Sequence, residues 1–298
     1  MDLLRKGRKG QPEPLRPAFL RRRAARFFTV FAMLTLVVVT ILYYLPTTFR
    51  ISQRERVLKT AAVCTPTALT DPFNRTKVAL LIETRPKVSL VPILLHYMAT
   101  TPPDWPFHVI HSAENAHILA SRSLQQYMTS GRLNTTLLAP GVILKDSQTV
   151  SEFLTSRWIW DQIQAEHILF FQLDAMLCSN SDQTVDDFLK FDWIGAPWPH
   201  RRQLRGGNGG FSMRRKSRML RCIERQTWQR GGPNEDVWFS QCMATFPDAI
   251  LPTYEESMSW AVEAQESKRY MGIHKPWGSV KVATHYDFCP EAAMLFLP

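Results

Sequence analysis

The fold of this chain is constrained most by a short apolar run ending in polar residues, between His167 and Cys178. The run from Ile168 to Phe171 comes after a segment with the pattern of an amphipathic helix. It predicts a strand buried on both faces of a mostly parallel sheet. Ligands of such sheets bind beyond the carboxyl ends of the strands, where Asp174 lies. Asp174 is therefore a candidate functional carboxylate, although an ordinary turn Asp is the alternative.

Strand and helix patterns alternate before this run. Strands are predicted at Lys77–Glu83, Phe107–His111 and Thr136–Leu138, and helices at Val88–Thr100 and Glu114–Ser130, the latter closed by Gly131. A capping box at Thr149-Val150-Ser151-Glu152 predicts a further helix, with a buried face formed by Val150, Phe153, Leu154 and Trp158. This order predicts an α/β domain with a largely parallel, Rossmann-like sheet flanked by helices.

After Asp174 the alternation weakens. The patterns there predict a short helix at Thr184–Lys190, an extended segment at Asp192–Trp198, a glycine-rich turn entering a strand over 206–215, and helices at Arg215–Thr227 and from Asn234 onward.

The net charge of +10 is concentrated at the N-terminus. Residues 1–26 carry nine Lys and Arg against Asp2 and Glu13, which gives +7 and leaves +3 for the remaining 272 residues. Because the basicity belongs to this tail, a nucleic-acid-binding function is disfavoured.

Phe27 to Leu45 contains no charged residue and, as a helix, would span roughly 28 Å, close to the thickness of a bilayer core. The preceding positive charges place the N-terminus in the cytosol. A cleaved signal peptide is the alternative, but the run is long and its end is a poor cleavage site. We therefore expect a cytosolic tail (1–26), one transmembrane signal anchor (27–45), a stem (46–76) and a lumenal domain (77–298).

Two glycosylation sequons, at Asn74 and Asn134, agree with a lumenal domain in the Golgi or endoplasmic reticulum. All five cysteines follow the anchor, where disulfides are permitted: Cys64, Cys178, Cys222, Cys242 and Cys289. The odd number leaves at least one unpaired within the chain, and the pairing stays open.

Three further segments carry candidate chemistry. The run Gly206–Gly210 holds four of the thirteen glycines, so its backbone amides can approach a ligand closely, although a flexible surface loop is the alternative. Glu235 and Asp236 open a helix, where acids also serve simply to complement the helix dipole. In the segment Gly272–Trp277, His274 could bind a divalent metal and Lys275 a phosphate.

Taken together, these segments resemble a known family. The order of Gln172-Leu173-Asp174, Asp192–Trp198, Gly207–Ser212, Glu235-Asp236-Val237 and His274–Trp277 is similar to the family called domain of unknown function five-six-seven-two, which resembles GT-A-fold nucleotide-sugar glycosyltransferases. The resemblance extends over roughly Lys77 to Trp277.

The resemblance implies a nucleotide-sugar site with Mn²⁺ or Mg²⁺ at the carboxyl edge of the sheet. Asp174 and His274 would be the metal ligands, and Lys275 would contact the diphosphate. Arg85 would contact the nucleotide, and the glycine turn (Gly207, Asn208, Gly209 and Gly210) would approach the donor. Asp236, with Glu235 beside it, matches the position of the catalytic base in inverting enzymes, whereas the His-Lys-Pro-Trp element is similar to one in retaining enzymes.

The resulting expectation is a single-pass type II membrane protein whose lumenal domain transfers a sugar from a nucleoside-diphosphate donor to the hydroxyl of a glycan or protein acceptor. The alternative is a non-catalytic carbohydrate- or nucleotide-binding scaffold with the same fold. It is motivated by Gln172 and Ala175, which replace a second carboxylate and a hydroxyl residue of the family pattern.

Overall fold

The computed structural model describes residues 71–276 and 281–296, together with Met33, Thr35, Leu36 and Thr40. The predicted tail, most of the predicted stem, and the predicted anchor except for those four residues lie outside the described residues. Within the described part, no helix combines the length and apolar character needed to cross a membrane. The chain divides into two compact units, Met1–Thr70 and Asp71–Pro298, so the second begins six residues before the predicted domain boundary.

A six-stranded sheet runs through the second unit in the order β3-β2-β1-β4-β7-β6. Its strands, numbered along the chain with β5 reserved for a second sheet, are β1 (Lys77–Glu83), β2 (Phe107–His111), β3 (Leu133–Leu137), β4 (His167–Phe171), β6 (Trp193–Gly195) and β7 (Phe211–Arg215). Strands β1 to β4 are parallel, and only β7 runs against its neighbours, β4 and β6. The predicted mostly parallel sheet is confirmed, and the bounds of β1 and β2 are as predicted.

Both faces of this sheet are buried, as the continuous apolar strands predict. Leu81 and Leu169 point into one hydrophobic core, and their neighbours Leu80 and Ile168 point into a second core on the opposite face. The period-2 alternation of side chains thus divides each strand between two cores.

Helices flank the sheet. In the described part they are α1 (Leu90–Thr100), α2 (Ala116–Leu119), α3 (Arg122–Thr129), α4 (Ser147–Leu154), α5 (Arg157–Asp161), α6 (Lys216–Arg225), α7 (Glu235–Met243) and α8 (Tyr254–Trp260). Short 3-10 helices form at Val185–Phe188, Val282–His285 and Pro290–Phe296.

The prediction of one helix over Glu114–Ser130 is wrong, because the helical backbone is interrupted between α2 and α3. Ala120 ends the first helix, and Ser121 is extended with ψ 143°, which helical geometry does not allow. Gly131 ends α3 with φ +75°, as its predicted C-cap role requires.

The start of α4 also differs from the prediction. Asp146, and not Thr149, is the N-cap, because its carboxylate accepts the amide of Thr149 at 2.8 Å. The helix ends at Leu154, so Trp158 falls in α5, where 42% of its surface is exposed instead of buried.

A second, three-stranded sheet has the order β5-β9-β8, formed by β5 (Ala175–Leu177), β8 (Ala261–Val262) and β9 (Gly272–His274). The predicted Asp174 strand is therefore two strands, since β4 ends at Phe171 and β5 belongs to the other sheet. Two disulfides form, Cys178–Cys289 and Cys222–Cys242, and Cys64 lies outside the described residues.

Candidate functional site

A cavity of about 520 Å³ opens at the carboxyl ends of β1 and β4. The chain winds from β1 outward to β3 and then returns to β4 on the other side of β1, so this is a topological switch point of the sheet. Of the predicted site residues, the lining includes Arg85, Asp174, Asn208, Gly210, Glu235, Asp236 and Lys275. The segments predicted to converge are therefore in one place.

Asp174 lies in the turn between β4 and β5. Ala175 donates its amide to the carbonyl of Gln172, which reverses the chain after the strand and leaves Asp174 at the cavity wall. Burial alone would raise the pKa of Asp174, but His274 and Lys275 outweigh it and hold the pKa below its usual value. Asp174 is thus an anion in the native protein.

His274 is fully buried in β9, the central strand of the small sheet. Its Nε2 lies 3.5 Å from Asp174 Oδ1, and its Nδ1 lies 3.3 Å from Glu263 Oε1. Burial favours the neutral ring, but the two carboxylates prevail and raise the pKa of His274. Among the described residues, neither ring nitrogen makes a hydrogen bond of good geometry.

The glycine turn packs against His274 on one side and against Glu235 and Asp236 on the other. Asn208 Oδ1 accepts the amide of Gly210, and Gly209 donates its amide to Asp236 Oδ2 at 3.1 Å. Asn208 and Gly210 line the cavity. Gly207, with φ +103°, and Gly209 pack against protein instead, so these two predicted contacts lie behind the cavity wall.

Glu235 and Asp236 form the first turn of α7, as predicted. Both are about 7% exposed, and Asp236 accepts the amides of Val237 and Gly209. Burial, followed by the charge of Asp236, raises the pKa of Glu235 to about 7, and burial also raises the pKa of Asp236. A carboxyl group whose pKa lies near neutral pH is suited to proton transfer.

Arg214 connects the glycine turn to Glu235 through its hydrogen bonds, although it was not predicted from the sequence. Its guanidinium is fully buried, 4.3 Å from the ring centres of both Phe170 and Trp193. It donates to Glu235 Oε1 at 3.0 Å and to the Gly209 carbonyl at 2.7 Å. In the sequence, Arg214 is one of two arginines that end the strand after the glycine turn, and this pattern gave no signal of its burial.

Cationic side chains surround the cavity mouth, contributed by Arg85, Lys87, Lys145 and Lys275. Arg85 pairs with Glu83 through both carboxylate oxygens, yet 64% of its side chain is exposed. Lys275 has φ +43°, the only non-glycine residue in the described part with positive φ, and its Nζ lies 3.8 Å from Asp174 Oδ2. Such a rim suits a polyanionic ligand.

A divalent cation fits the arrangement of Asp174 and His274. The described residues hold no cluster of three or more His, Cys, Asp or Glu suited to a metal, so these two would need ligand oxygens to complete a site. Two ligands held about 2.1 Å from one cation lie roughly 3.0–3.4 Å apart. The observed 3.5 Å is close to that spacing, and both facing atoms lack a hydrogen bond among the described residues.

Residues 132–278 match the model of a family described as "Protein of unknown function (DUF5672)". The predicted family resemblance is thereby confirmed over that range, which contains every predicted site residue except Arg85. No curated protein matches the chain.

Among solved structures, the chain is similar to the apo-form glycosyltransferase GlyE of Streptococcus pneumoniae TIGR4, at 9% identity and a TM-score of 0.45. It is also similar to residues 1–349 of S. aureus TarS, at 11% identity and a TM-score of 0.44. Each similarity covers 74% of this chain, and 62% and 65% of those chains respectively, so the chain spans less than two thirds of either.

Proposed function

We propose that this protein is a GT-A-like glycosyltransferase, which moves a sugar from a nucleoside-diphosphate donor to an acceptor hydroxyl in the secretory pathway. One observation carries the proposal. Asp174, Gly210, Asp236 and Lys275, widely separated in sequence, line one cavity at the switch point of the sheet. Cations, a carboxylate pair and a close backbone turn are what transfer from a diphosphate leaving group requires.

The leaving-group side of the cavity would be formed by Asp174 and Lys275, which line it, with His274 buried behind Asp174. Asp174 and His274 would hold Mn²⁺ or Mg²⁺, which neutralises charge developing on the departing diphosphate. Lys275 would contact a diphosphate oxygen, and Arg85 the nucleotide, because both cations line the cavity with much of their side chains exposed. Gly210 lines the cavity and has no side chain, so the donor could approach its backbone.

The acceptor side would be formed by the carboxylate pair. Asp236 lines the cavity and would deprotonate the acceptor hydroxyl. Its oxygens are oriented by the amides of Gly209 and Val237. Glu235, held by Arg214, would act as its electrostatic partner, since the two carboxyls influence each other's protonation.

The membrane topology also belongs to this proposal: a type II protein of the Golgi or endoplasmic reticulum, anchored at 27–45, with residues 77–298 lumenal. Two disulfides support an oxidising compartment. The side chains of both sequon residues, Asn74 and Asn134, are exposed and so accessible to glycosylation.

A non-catalytic binding scaffold is the second candidate, favoured by two observations. Both oxygens of Asp236 already accept backbone amides, which reduces their capacity to take a proton. In addition, Gln172 lines the cavity where a second metal-binding carboxylate is expected.

The full-length chain in detergent, given a panel of nucleoside-diphosphate sugars and acceptors, would separate the two. We expect release of nucleoside diphosphate with Mn²⁺, abolished by Asp236→Asn and unchanged by Asp287→Asn, an exposed control. Donor binding without turnover across the panel would favour the scaffold. Absence of donor binding by the native protein would contradict both candidates.

A further inference from the structure

The small sheet places three ionisable side chains in a row. In β9, His274 pairs with Ala175, the residue after Asp174. On its other side β8 pairs Val262 with Ile273, so the following residue, Glu263, flanks His274. The register of two short strand pairings thus puts one carboxylate beside each edge of the imidazole.

We infer that Glu263 is a positioning residue for His274, a role that rests on the proposed metal-dependent function. Glu263 Oε1 lies 3.3 Å from Nδ1, where it would accept a hydrogen bond from Nδ1–H. The lone pair of Nε2, which lies 3.5 Å from Asp174 Oδ1, would then be free to hold a cation together with Asp174. Carboxylate partners of this kind fix the tautomer and orientation of metal-binding histidines.

The packing around the imidazole of His274 leaves little room for other groups to contact its nitrogens. His274 is fully buried, and a Cβ on Gly210 would overlap its Nε2, so there is no room for a side chain on that side. Two buried ring nitrogens without good hydrogen bonds would destabilise the fold if they remained so. A hydrogen bond from Nδ1–H to Glu263 and a cation held by Nε2 would satisfy both nitrogens at once.

Glu263 itself is not among the residues that line the cavity, so it does not touch the donor directly. Its side chain is 17% exposed, and its neighbour in this arrangement is the histidine. Glu263 is therefore assigned to positioning His274, whereas Asp174 and Lys275 line the cavity themselves.

The test is the Mn²⁺ affinity of the full-length protein without donor, measured by electron paramagnetic resonance of free Mn²⁺. Glu263→Met keeps the side-chain volume but removes the acceptor, and we expect about 10- to 100-fold weaker binding. Glu263→Gln retains an oxygen that can accept from Nδ1, and we expect it to stay within about threefold of the native affinity. Glu266→Ala, which removes an exposed carboxylate nearby, is the control.

Thermal unfolding of each variant shows whether a change in affinity reflects folding, and Glu263→Ala replaces Glu263→Met if the latter does not fold. Native affinity in Glu263→Met, or equal weakening in Glu266→Ala, would overturn the inference. So would a native protein that binds no Mn²⁺. In that last case the proposed function is judged separately, by release of nucleoside diphosphate in the presence of a chelator.

Discussion

Gly210 lies directly against the imidazole of His274, although 63 residues separate them in the chain. A Cβ at position 210 would overlap His274 Nε2 and come within 2.7 Å of Gln172 Oε1. The glycine at this position is therefore required by a long-range contact between the large sheet and the small one.

Gly210→Ala should displace the imidazole and weaken Mn²⁺ and donor binding by about tenfold or more, with a loss of stability of roughly 1–3 kcal/mol from overpacking. Isothermal titration and urea unfolding measure the two effects. Gly141→Ala is the control, because a Cβ there meets no neighbouring atom within 4 Å and adds only the strain of φ +89°. Equal effects of both substitutions on binding would contradict the role of the contact.

Lys275 combines a strained backbone with a charge at the cavity. Lys275→Gly should relieve the positive φ and not lower the free energy of unfolding, while the lost charge weakens donor binding by about tenfold. Lys275→Ala removes the same charge but keeps the strain, so it should bind equally weakly and be less stable than the glycine variant. Donor titration combined with urea unfolding checks this, and donor affinity near the native value in both variants would exclude Lys275 as a phosphate contact.

The raised pKa of Glu235 predicts how stability depends on pH. Below about pH 4.5 the group is protonated in both the native and the unfolded state, so it does not make the free energy of unfolding depend on pH. As pH rises from about 4.5 to about 7, the unfolded chain loses this proton before the native protein does, so the free energy of unfolding falls and then levels off. Urea unfolding from pH 5 to 8 should show this decline, and Glu235→Gln should flatten it. An unchanged slope in that variant would assign the effect to another group.

For the Arg214–Glu235 pair, the free energy of unfolding should fall far more when one partner is removed than when both are removed. Arg214→Met leaves Glu235 buried without its cation and should cost about 3–5 kcal/mol. The double variant Arg214→Met with Glu235→Gln should recover part of that loss. Arg221→Met, which breaks an exposed pair with Asp248, should cost about 1 kcal/mol or less. Chemical denaturation measures all of these, and additive losses in the double variant would argue against a coupled pair.

The two disulfides should differ in their effect on the cavity. Cys178–Cys289 joins residues 111 apart and should contribute about 5 kcal/mol, whereas Cys222–Cys242 joins residues 20 apart and should contribute about 3 kcal/mol. Replacing Cys178 and Cys289 by Ala should also weaken donor binding, because the segment they anchor carries Leu295 into the cavity lining. Replacing the other pair should leave donor affinity unchanged. Equal donor affinity in both double variants would show that the Cys178–Cys289 disulfide does not shape the cavity.

Much of the fold was predictable from local pattern. The bounds of β1 were predictable from its apolar run between Lys77 and Glu83, because a strand buried on both faces is apolar throughout. Those of β2 were predicted correctly although His108 interrupts its apolar residues. The single helix over Glu114–Ser130 was wrong because the extended backbone at Ser121 is not visible in the hydrophobic spacing. The start of α4 was wrong because the helix begins one turn earlier, where the Asp146 carboxylate accepts a hydrogen bond from the amide of Thr149.

The site was predictable where a residue stands beside a recognisable motif, as Asp174, Asp236 and His274 do. Arg214 and Glu263 were missed because their roles come only from tertiary pairing. Arg214 depends on β7 lying between β4 and β6, and Glu263 on a two-residue strand that no periodicity reveals. Neither requirement leaves a local trace in the sequence.

The reversed direction of β7 determines which loops face the cavity. Its first residue, not its last, lies at the edge where β1 and β4 end, so the loop before it adjoins the cavity and the turn after Arg215 emerges at the far edge. An insertion beside Asn208, which lines the cavity, would thus reshape its surroundings, while one after Arg215 would not. Changes of length in the loop before β7 should therefore alter ligand binding at the cavity, whereas a longer turn after Arg215 should leave it unchanged.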